Sequence, residues 1–373
     1  MFSIRVVYLC VGMNDLGGTS SHLRNILHAA PAAGLEPTLW LATKIPEKIR
    51  AYFQGVPAQV VIHEHYKKGF YLPLIWKLVQ DLRRERVDVI HSFQLQGDII
   101  SVVVALLARV PVRISSFEGR LVYGSTLLRR WVLAVLNRMV RPWFTANIFI
   151  SQHLLRTYGK AYGIAPARCV LNYLGLPPRW FEAPPSPRQK PNPFCIGYVG
   201  RVDSEKGYEL YIEAVRLLVG RGFSARFKLI GGGHREADAR QRIIGAGLED
   251  HLLMTGWIAD VRSGLEELDI VVTPSHEEGL SAVAIEALSR KRLVIATRVG
   301  GLPEVVEDGV TGYLVEPENP ELIANAIEKA AAYWPEAIKK AETGYQVAKE
   351  RFSSQDEVAG FHALYQRLIG VQA

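Results

Sequence analysis

Cysteine is scarce: the 373-residue chain has three, Cys10, Cys169 and Cys195. They show no metal-ligand spacing, and an odd number gives no disulfide framework. Cys10 and Cys195 fall in apolar, strand-like runs and read as core, which fits a reducing cytosol. Long apolar runs are missing as well: residues 99–108 are too few to span a bilayer. The start, MFSIRVVYLCVG, has one Arg and a brief apolar run leading straight into Asn14-Asp15, so it reads as a first strand and not as a signal peptide. There is no low-complexity tract. The turn after that strand lacks the GxGxxG of dinucleotide enzymes, and no GK[ST] marks a P-loop. No RNP, helix-turn-helix or zinc-finger pattern points to nucleic acid.

What is present suits two domains of ordinary size. Hydrophobic residues make up 49% and charged residues 22%, enough for each half to bury a core. A net charge of +7 favours an anionic partner such as a nucleotide or an acidic membrane surface. In the first half, strands are expected over residues 4–10, 38–41, 60–62, 87–90, 112–115, 147–150 and 169–171, and helices over 70–84, 99–107 and 125–139. Gly12 and Gly17-Gly18 form a glycine-rich turn, after which Thr19 or Ser20 caps a helix with Leu23, Ile26 and Leu27 on one face. Seven prolines between Pro177 and Pro193 exclude helix and central strand, so that segment reads as a linker. The expected division is 1–178, a linker over 179–193, 194–354, and a last helix over 355–373. Strands alternating with helices in each half mean doubly wound parallel sheets.

The most informative stretch runs from Asp269 to Glu304. A β-branched run to Thr273 reads as a buried parallel strand, followed by a short acidic turn and a helix over residues 281–289. A second strand over 293–297 leads into Gly300-Gly301, which would let another backbone come close. Glu278 and Glu286 then both lie at the carboxyl end of a parallel sheet, where open α/β folds bind ligands. Taken alone, they read equally well as a helix-start charge and a solvated helix residue. The amides of Leu280 and Ser281 open the helix and point at an anion. Arg201 and Lys206 flank a turn after the strand over 194–199, in the run Gly200-Arg201-Val202-Asp203-Ser204-Glu205-Lys206-Gly207.

The run E-G-x6-E at 278–286, with V-G-G-x-P-E at 299–304 and G-R-x4-K-G at 200–207, resembles the large family 4 type of retaining glycosyltransferases, the glycosyl transferases group 1 with an E-x7-E signature. The resemblance covers nearly the whole chain and is strongest from Gly197 to Val315. It implies the GT-B fold, two Rossmann-like domains facing each other across a cleft. It implies a retaining, metal-independent hexosyltransferase that takes a nucleotide-sugar, UDP-sugars first and GDP-mannose next, and needs no cofactor. Arg201 and Lys206 would clamp the donor diphosphate, Glu278 would hold donor-sugar hydroxyls, and Glu286 the ribose. Gly17, Gly18, Gly200, Gly232, Trp257, Ile258, Gly279, Leu280 and Ser281 complete the donor site that the family pattern implies. Relatives commonly place a catalytic His where this chain has Ser116-Phe117-Glu118-Gly119. Glu118 takes that place and, with His91, forms the acceptor-side candidates, although a lone His is more often simply a hydrogen-bonded strand-end residue. A nucleotide-sugar 2-epimerase, a phosphorylase or a non-catalytic scaffold of the same fold are the alternatives.

Two helices interleave basic and aromatic residues. One carries Lys67, Lys68, Phe70, Tyr71, Trp76, Lys77, Arg83 and Arg84; the other Arg129, Arg130, Trp131 and Arg138, followed by Arg141 and Trp143. This pattern suits an anionic membrane surface and a glycan or glycolipid acceptor, in a cytoplasmic protein held peripherally on the membrane's inner face. It equally suits core aromatics beneath a solvated charged face. Arg290-Lys291-Arg292 reads as a solvated turn.

Overall fold

The computed structural model describes residues 3–13, 16–42, 45–63, 72–119, 127–189 and 191–372. It falls into two compact units, Met1–Pro177 with Ser354–Ala373, and Pro178–Ser353. In the first unit the strands are β1 (Ile4–Val11), β2 (Leu35–Ala42), β3 (Gln59–His63), β4 (Val89–Phe93), β5 (Val112–Phe117), β6 (Ala146–Phe149) and β7 (Cys169–Leu171). They pair in parallel in the order β3-β2-β1-β4-β5-β6-β7. The helices are α1 (Gly18–Ala29), α2 (Glu47–Tyr52), α3 (Leu72–Glu85), α4 (Gln94–Ala108), α5 (Leu127–Val140) and the single turn α6 (Gln152–Leu154).

The second unit holds β8 (Phe194–Val199), β9 (Ala225–Ile230), β10 (Leu252–Gly256), β11 (Ile270–Thr273), β12 (Leu293–Thr297) and β13 (Gly312–Val315), ordered β10-β9-β8-β11-β12-β13. Its helices are α7 (Tyr208–Gly220), α8 (Glu236–Gly245), α9 (Val261–Glu266), α10 (Ala282–Ser289), α11 (Leu302–Val305), α12 (Pro320–Ala332) and α13 (Trp334–Arg351). The last helix, α14 (Ser354–Gln372), belongs to the first unit.

Side chains alternate across a strand, so β1 serves two cores. Val6, Tyr8 and Cys10 pack with Leu23, Ile26 and Leu27 of α1 and with Val358, Phe361 and Tyr365 of α14. Val7, Leu9 and Val11 pack on the other face with Leu74 and Leu78 of α3 and Ile100 and Val104 of α4. A strand covered on both faces needs no polar side, which is why β1 reads as an unbroken apolar run. In each sheet one pair of neighbours, β1 with β4 and β8 with β11, marks the place where the order of winding reverses. Ligands of such sheets bind outside the carboxyl ends of the strands there.

Three features differ from the sequence reading. Helix α13 is absent from the sequence reading; its Pro335 falls in the first turn, where proline is tolerated, and Ile338, Ala341, Tyr345 and Ala348 line its buried face. Arg141 is fully buried, with its guanidinium on Asp98 and Asn137 at 2.6 and 2.7 Å and over the Phe117 ring at 4.2 Å. The turn at 290–292 is not solvated at its ends, for Arg290 and Arg292 are 1% and 3% exposed. Arg290 donates to the carbonyls of Trp180, Glu182 and Ala183, and Arg292 to those of Leu268 and Pro185. A proline-rich segment cannot satisfy its own carbonyls in a helix or ladder, so these cations do it. The segment from Trp180 to Pro185 is thereby fastened to the second unit. Replacing Arg290 with Ala leaves the Trp180 and Ala183 carbonyls without this donor, while Arg262 still reaches the Glu182 carbonyl and Glu266, and unfolding of this unit in a denaturant titration is expected to lose about 2 kcal/mol.

Candidate active site

The carboxyl edge of β8 and β11 gathers the chemistry of the second unit. After β8 the chain turns through Gly200, whose φ of 151° a side chain rarely adopts. The buried Tyr198 hydroxyl donates to the Arg201 carbonyl and pins this turn. Lys206 ends a short 3₁₀ turn, Ser204–Lys206, and Gly207 follows with φ 67°. A Cβ at Gly207 would overlap the carbonyl oxygen of Pro274, so only glycine lets the turn lie against the loop after β11. His276 N–H donates to Glu205 O at 3.0 Å across the same seam.

This contact delivers Lys206 to Glu278. The ammonium donates to both Glu278 oxygens at 2.8 Å, and Ser275 Oγ donates to one of them at 3.2 Å. The Glu278 side chain is 9% exposed and Lys206 27%, so water screens the pair incompletely. Arg201 is more open and pairs with Asp203 at 3.2 Å. On the far side, Gly300 (φ 54°) and Gly301 sit where a Cβ would overlap the carbonyls of Glu278 and Gly279. Gly301 N–H donates to Glu278 O at 3.0 Å. The loop carrying Glu278 and Gly279 is thus held between two glycine contacts.

Helix α10 begins beside it. Ser281 caps it, accepting from Ala284 N–H at 3.3 Å, and does so with φ 76°. A serine held in this left-handed region costs on the order of 1–2 kcal/mol, the kind of strain that collects at functional loops. The sequence shows Ser281 only as part of the helix start; its cap role and its strain emerge with the fold. No acid lies in the first turn of α10, so its positive end is uncompensated there. Glu286 stands in the middle of α10 with intermediate exposure, and dense packing around its carboxyl pushes it up to about 8. A neighbouring platform joins Gly231, Gly232 and Gly233 to Gly256 and Trp257. Gly231 N–H donates to Gly256 O at 2.9 Å, and Val202 N–H to Gly232 O at 3.0 Å. The Trp257 ring is 62% exposed beside half-buried Ile258. A cavity of about 780 Å³ opens elsewhere, by Arg226, Lys228 and Arg240, and none of these residues of the candidate site lines it.

In the first unit, Gly17 caps α1, with Ser20 Oγ bridging its N–H and carbonyl at 2.8 Å each. Gly18 faces open space and no acid lies in the first turn. The two acceptor-side candidates part company. His91 lies inside β4, fully buried, with Nδ1 on the Tyr365 hydroxyl at 2.6 Å and Nε2 on Ser116 Oγ at 2.7 Å. Burial and the nearby His22 charge hold it neutral, down at about 3, and neither nitrogen is left for a substrate. Glu118 follows β5 and binds His22, a residue with no sequence signal because its partners lie 96 and 335 positions away. Among the described residues no cluster of His, Cys, Asp and Glu could hold a metal ion.

Comparison with known proteins gives matches in both units. Residues 193–332 match the glycosyl transferases group 1 family, and residues 16–179 match glycosyltransferase family 4. The chain is 36% identical over 134 residues, 35% of each chain, to alpha-D-kanosaminyltransferase of Streptomyces kanamyceticus. It is 24% identical over 310 residues, 76% of this chain and 78% of the relative, to the capsular polysaccharide biosynthesis glycosyltransferase CapM of Staphylococcus aureus. Among solved structures, Anabaena HepE in complex with UDP and glucose superposes with a TM-score of 0.82 at 19% identity, covering 98% of this chain and 100% of that one. Two doubly wound parallel-sheet units, a glycine-locked carboxylate at the second sheet's switch point and these matches over both units make the chain a glycosyltransferase of the GT-B fold.

Proposed function

We propose that the chain is a retaining, metal-independent hexosyltransferase of polysaccharide or lipopolysaccharide biosynthesis. It takes a nucleotide-sugar, with UDP-sugars favoured over GDP-mannose, and transfers the sugar to a glycan or glycolipid acceptor. The observation that carries this is Lys206 set on both oxygens of Glu278 beside the α10 N-terminus. The UDP and glucose of the HepE complex, and the names of CapM and of the lipopolysaccharide core mannosyltransferase LpcC of Rhizobium leguminosarum, support the substrate class.

The chemistry follows from charge. When the bond between the sugar and the diphosphate breaks, positive charge grows on the sugar and negative charge on the leaving phosphate. Arg201, Lys206 and the amides at Leu280 and Ser281 are donors for that phosphate, and fixed donors facing developing charge supply much of the rate enhancement in many enzymes. The bound phosphate takes over the Lys206 ammonium and leaves Glu278 to accept from donor-sugar hydroxyls. The acceptor oxygen bonds to the anomeric carbon on the face the phosphate leaves, and its proton passes to a phosphate oxygen. Glu286 accepts from the ribose hydroxyls, and the segment of Trp257 and Ile258 lines the base through its backbone groups.

A membrane role rests on the first unit. Helices α3 and α4 pack side by side, as do α4 and α5. Trp76 of α3, Leu106 and Leu107 of α4, Trp131 and Met139 of α5, and Trp143 just beyond α5 are exposed. Among the described residues, the aromatics there are not core, apart from buried Phe144. Lys67, Lys68, Phe70 and Tyr71 lie outside the described residues, as do the side chains of Arg129 and Arg130. Arg83, Arg84 and Arg138 supply basic charge at the ends of α3 and α5, and exposed Trp with Arg fits an anionic lipid surface.

Replacing Lys206 with Ala is expected to cut kcat by about 100-fold with the donor at saturation; a wild-type rate removes the ammonium from the mechanism. Glu286 adds a pH dependence. Between an ordinary carboxylate value and about 8, the free protein keeps a proton that ribose hydroxyls displace. Calorimetry with UDP should show proton release at neutral pH and affinity rising with pH until about 8, and Glu286→Gln should flatten that slope. The chain should also sediment with vesicles rich in anionic lipid, less so as salt rises, and the double variant Trp76→Ala, Trp131→Ala should stay in solution.

A further inference from the structure

The first unit contains a buried charge triad that the transfer mechanism above does not use. His22 of α1 is 5% exposed and lies between two carboxylates, with Nδ1 on Glu118 Oε1 and Nε2 on Glu357 Oε1. Burial alone pushes an imidazole down; here the two acids outweigh it and carry His22 up to about 10. Its stabilising contribution is therefore complete below the ordinary histidine value and is lost as pH rises through about 10. The charges of the triad also reach Cys10 of β1, whose thiol burial and Glu118 push up, neutral His91 of β4, and the Tyr8 and Tyr365 hydroxyls, which burial keeps protonated.

The two acids differ in what they have left. Glu357 is 1% exposed, and its second oxygen accepts the Gly175 N–H at 2.9 Å, so it is fully spent within the protein. Glu118 stands at the carboxyl end of β5, near the switch point of the first sheet, with its side chain 14% exposed. Its Oε2 is buried and receives no hydrogen bond. An orphaned carboxylate oxygen is costly and marks a place where a donor is missing. A triad built only to tie α14 to α1 has no need of it.

We propose that Glu118 is a hydroxyl-binding carboxylate for the group that receives the sugar, and that His22 is its positioning residue, whose Nδ1 fixes one oxygen of Glu118 and leaves Oε2 for the incoming hydroxyl. Glu357 closes the other side of the imidazolium and sets its orientation. A bulky or flexible cation would not do the same, because two flat acids on opposite ring nitrogens hold the ring in one plane. The inference rests on the transferase reading for the identity of the hydroxyl, whereas the charge state of His22 does not.

The test has two arms on the full chain. Imidazole ¹⁵N spectra should show His22 doubly protonated and untitrated from about pH 6 to about 9, and a neutral His22 within that range overturns the positioning role. The second arm follows UDP released from UDP-glucose with water as the acceptor. Glu118→Gln is expected to lower kcat tenfold or more, with KM for UDP-glucose and the melting temperature little changed. His22→Asn removes the cation that fixes Glu118, so it is expected to lower kcat as Glu118→Gln does, again with KM for UDP-glucose little changed. If both variants only melt earlier and turn over at the wild-type rate, the triad is a structural tie and the proposal fails. A wild-type chain that binds no nucleotide would strike at the donor reading, and the spectra would still decide the state of His22.

Discussion

The second unit depends on backbone meeting backbone where no side chain fits. Gly207 lies on the Pro274 carbonyl, and Gly300 and Gly301 lie on those of Glu278 and Gly279. These contacts fix the loop after β11 from both sides, and the 2.8 Å approach of Lys206 to Glu278 follows from them. A loop free to move would spread these groups over several arrangements, and each fixed residue costs about 1–2 kcal/mol of entropy that must be met before any ligand arrives. Glycine contacts set that geometry in advance, which is what fixed charge stabilisation requires.

The first unit solves a different problem with charge. Arg141 with Asp98, and His22 with Glu118 and Glu357, are buried ionic groups beneath the helices of a doubly wound sheet. Such pairs add little net stability over a well-packed apolar core, because desolvation offsets attraction. What they do provide is direction. Arg141 lies over the Phe117 ring, one residue before Glu118, and His22 holds Glu118 itself. The end of β5 is therefore fixed on two consecutive residues. Among the described residues no helix is long and apolar enough to cross a membrane.

Legibility in the sequence follows the range of the forces involved. Strand runs, the winding of both sheets and the glycines at 207 and 300–301 can be read because their signals are local: apolar periodicity and the absence of a side chain. The Glu278–Glu286 spacing can be placed on a loop and a helix for the same reason. Arg290 and Arg292 look solvated in the sequence because their acceptors, the carbonyls of residues 180–185, lie more than a hundred positions back. His22 gives no signal for the same cause. His91 looks like a polar strand-end residue akin to Glu118, yet it is a core residue set by Tyr365 and Ser116. Local pattern locates elements and turns; buried polar pairing over long separations is fixed only by the completed fold.

In the proposed reaction, transfer of the sugar turns on the diphosphate of a nucleotide-sugar being held at the edge of the second sheet. The most direct measurement is a crystal structure grown with UDP-glucose. It should show the diphosphate within hydrogen-bond reach of the Lys206 ammonium and the amides of Leu280 and Ser281, with the ribose on Glu286. Density for the nucleotide away from these groups, with Lys206 still closed on Glu278, would contradict it.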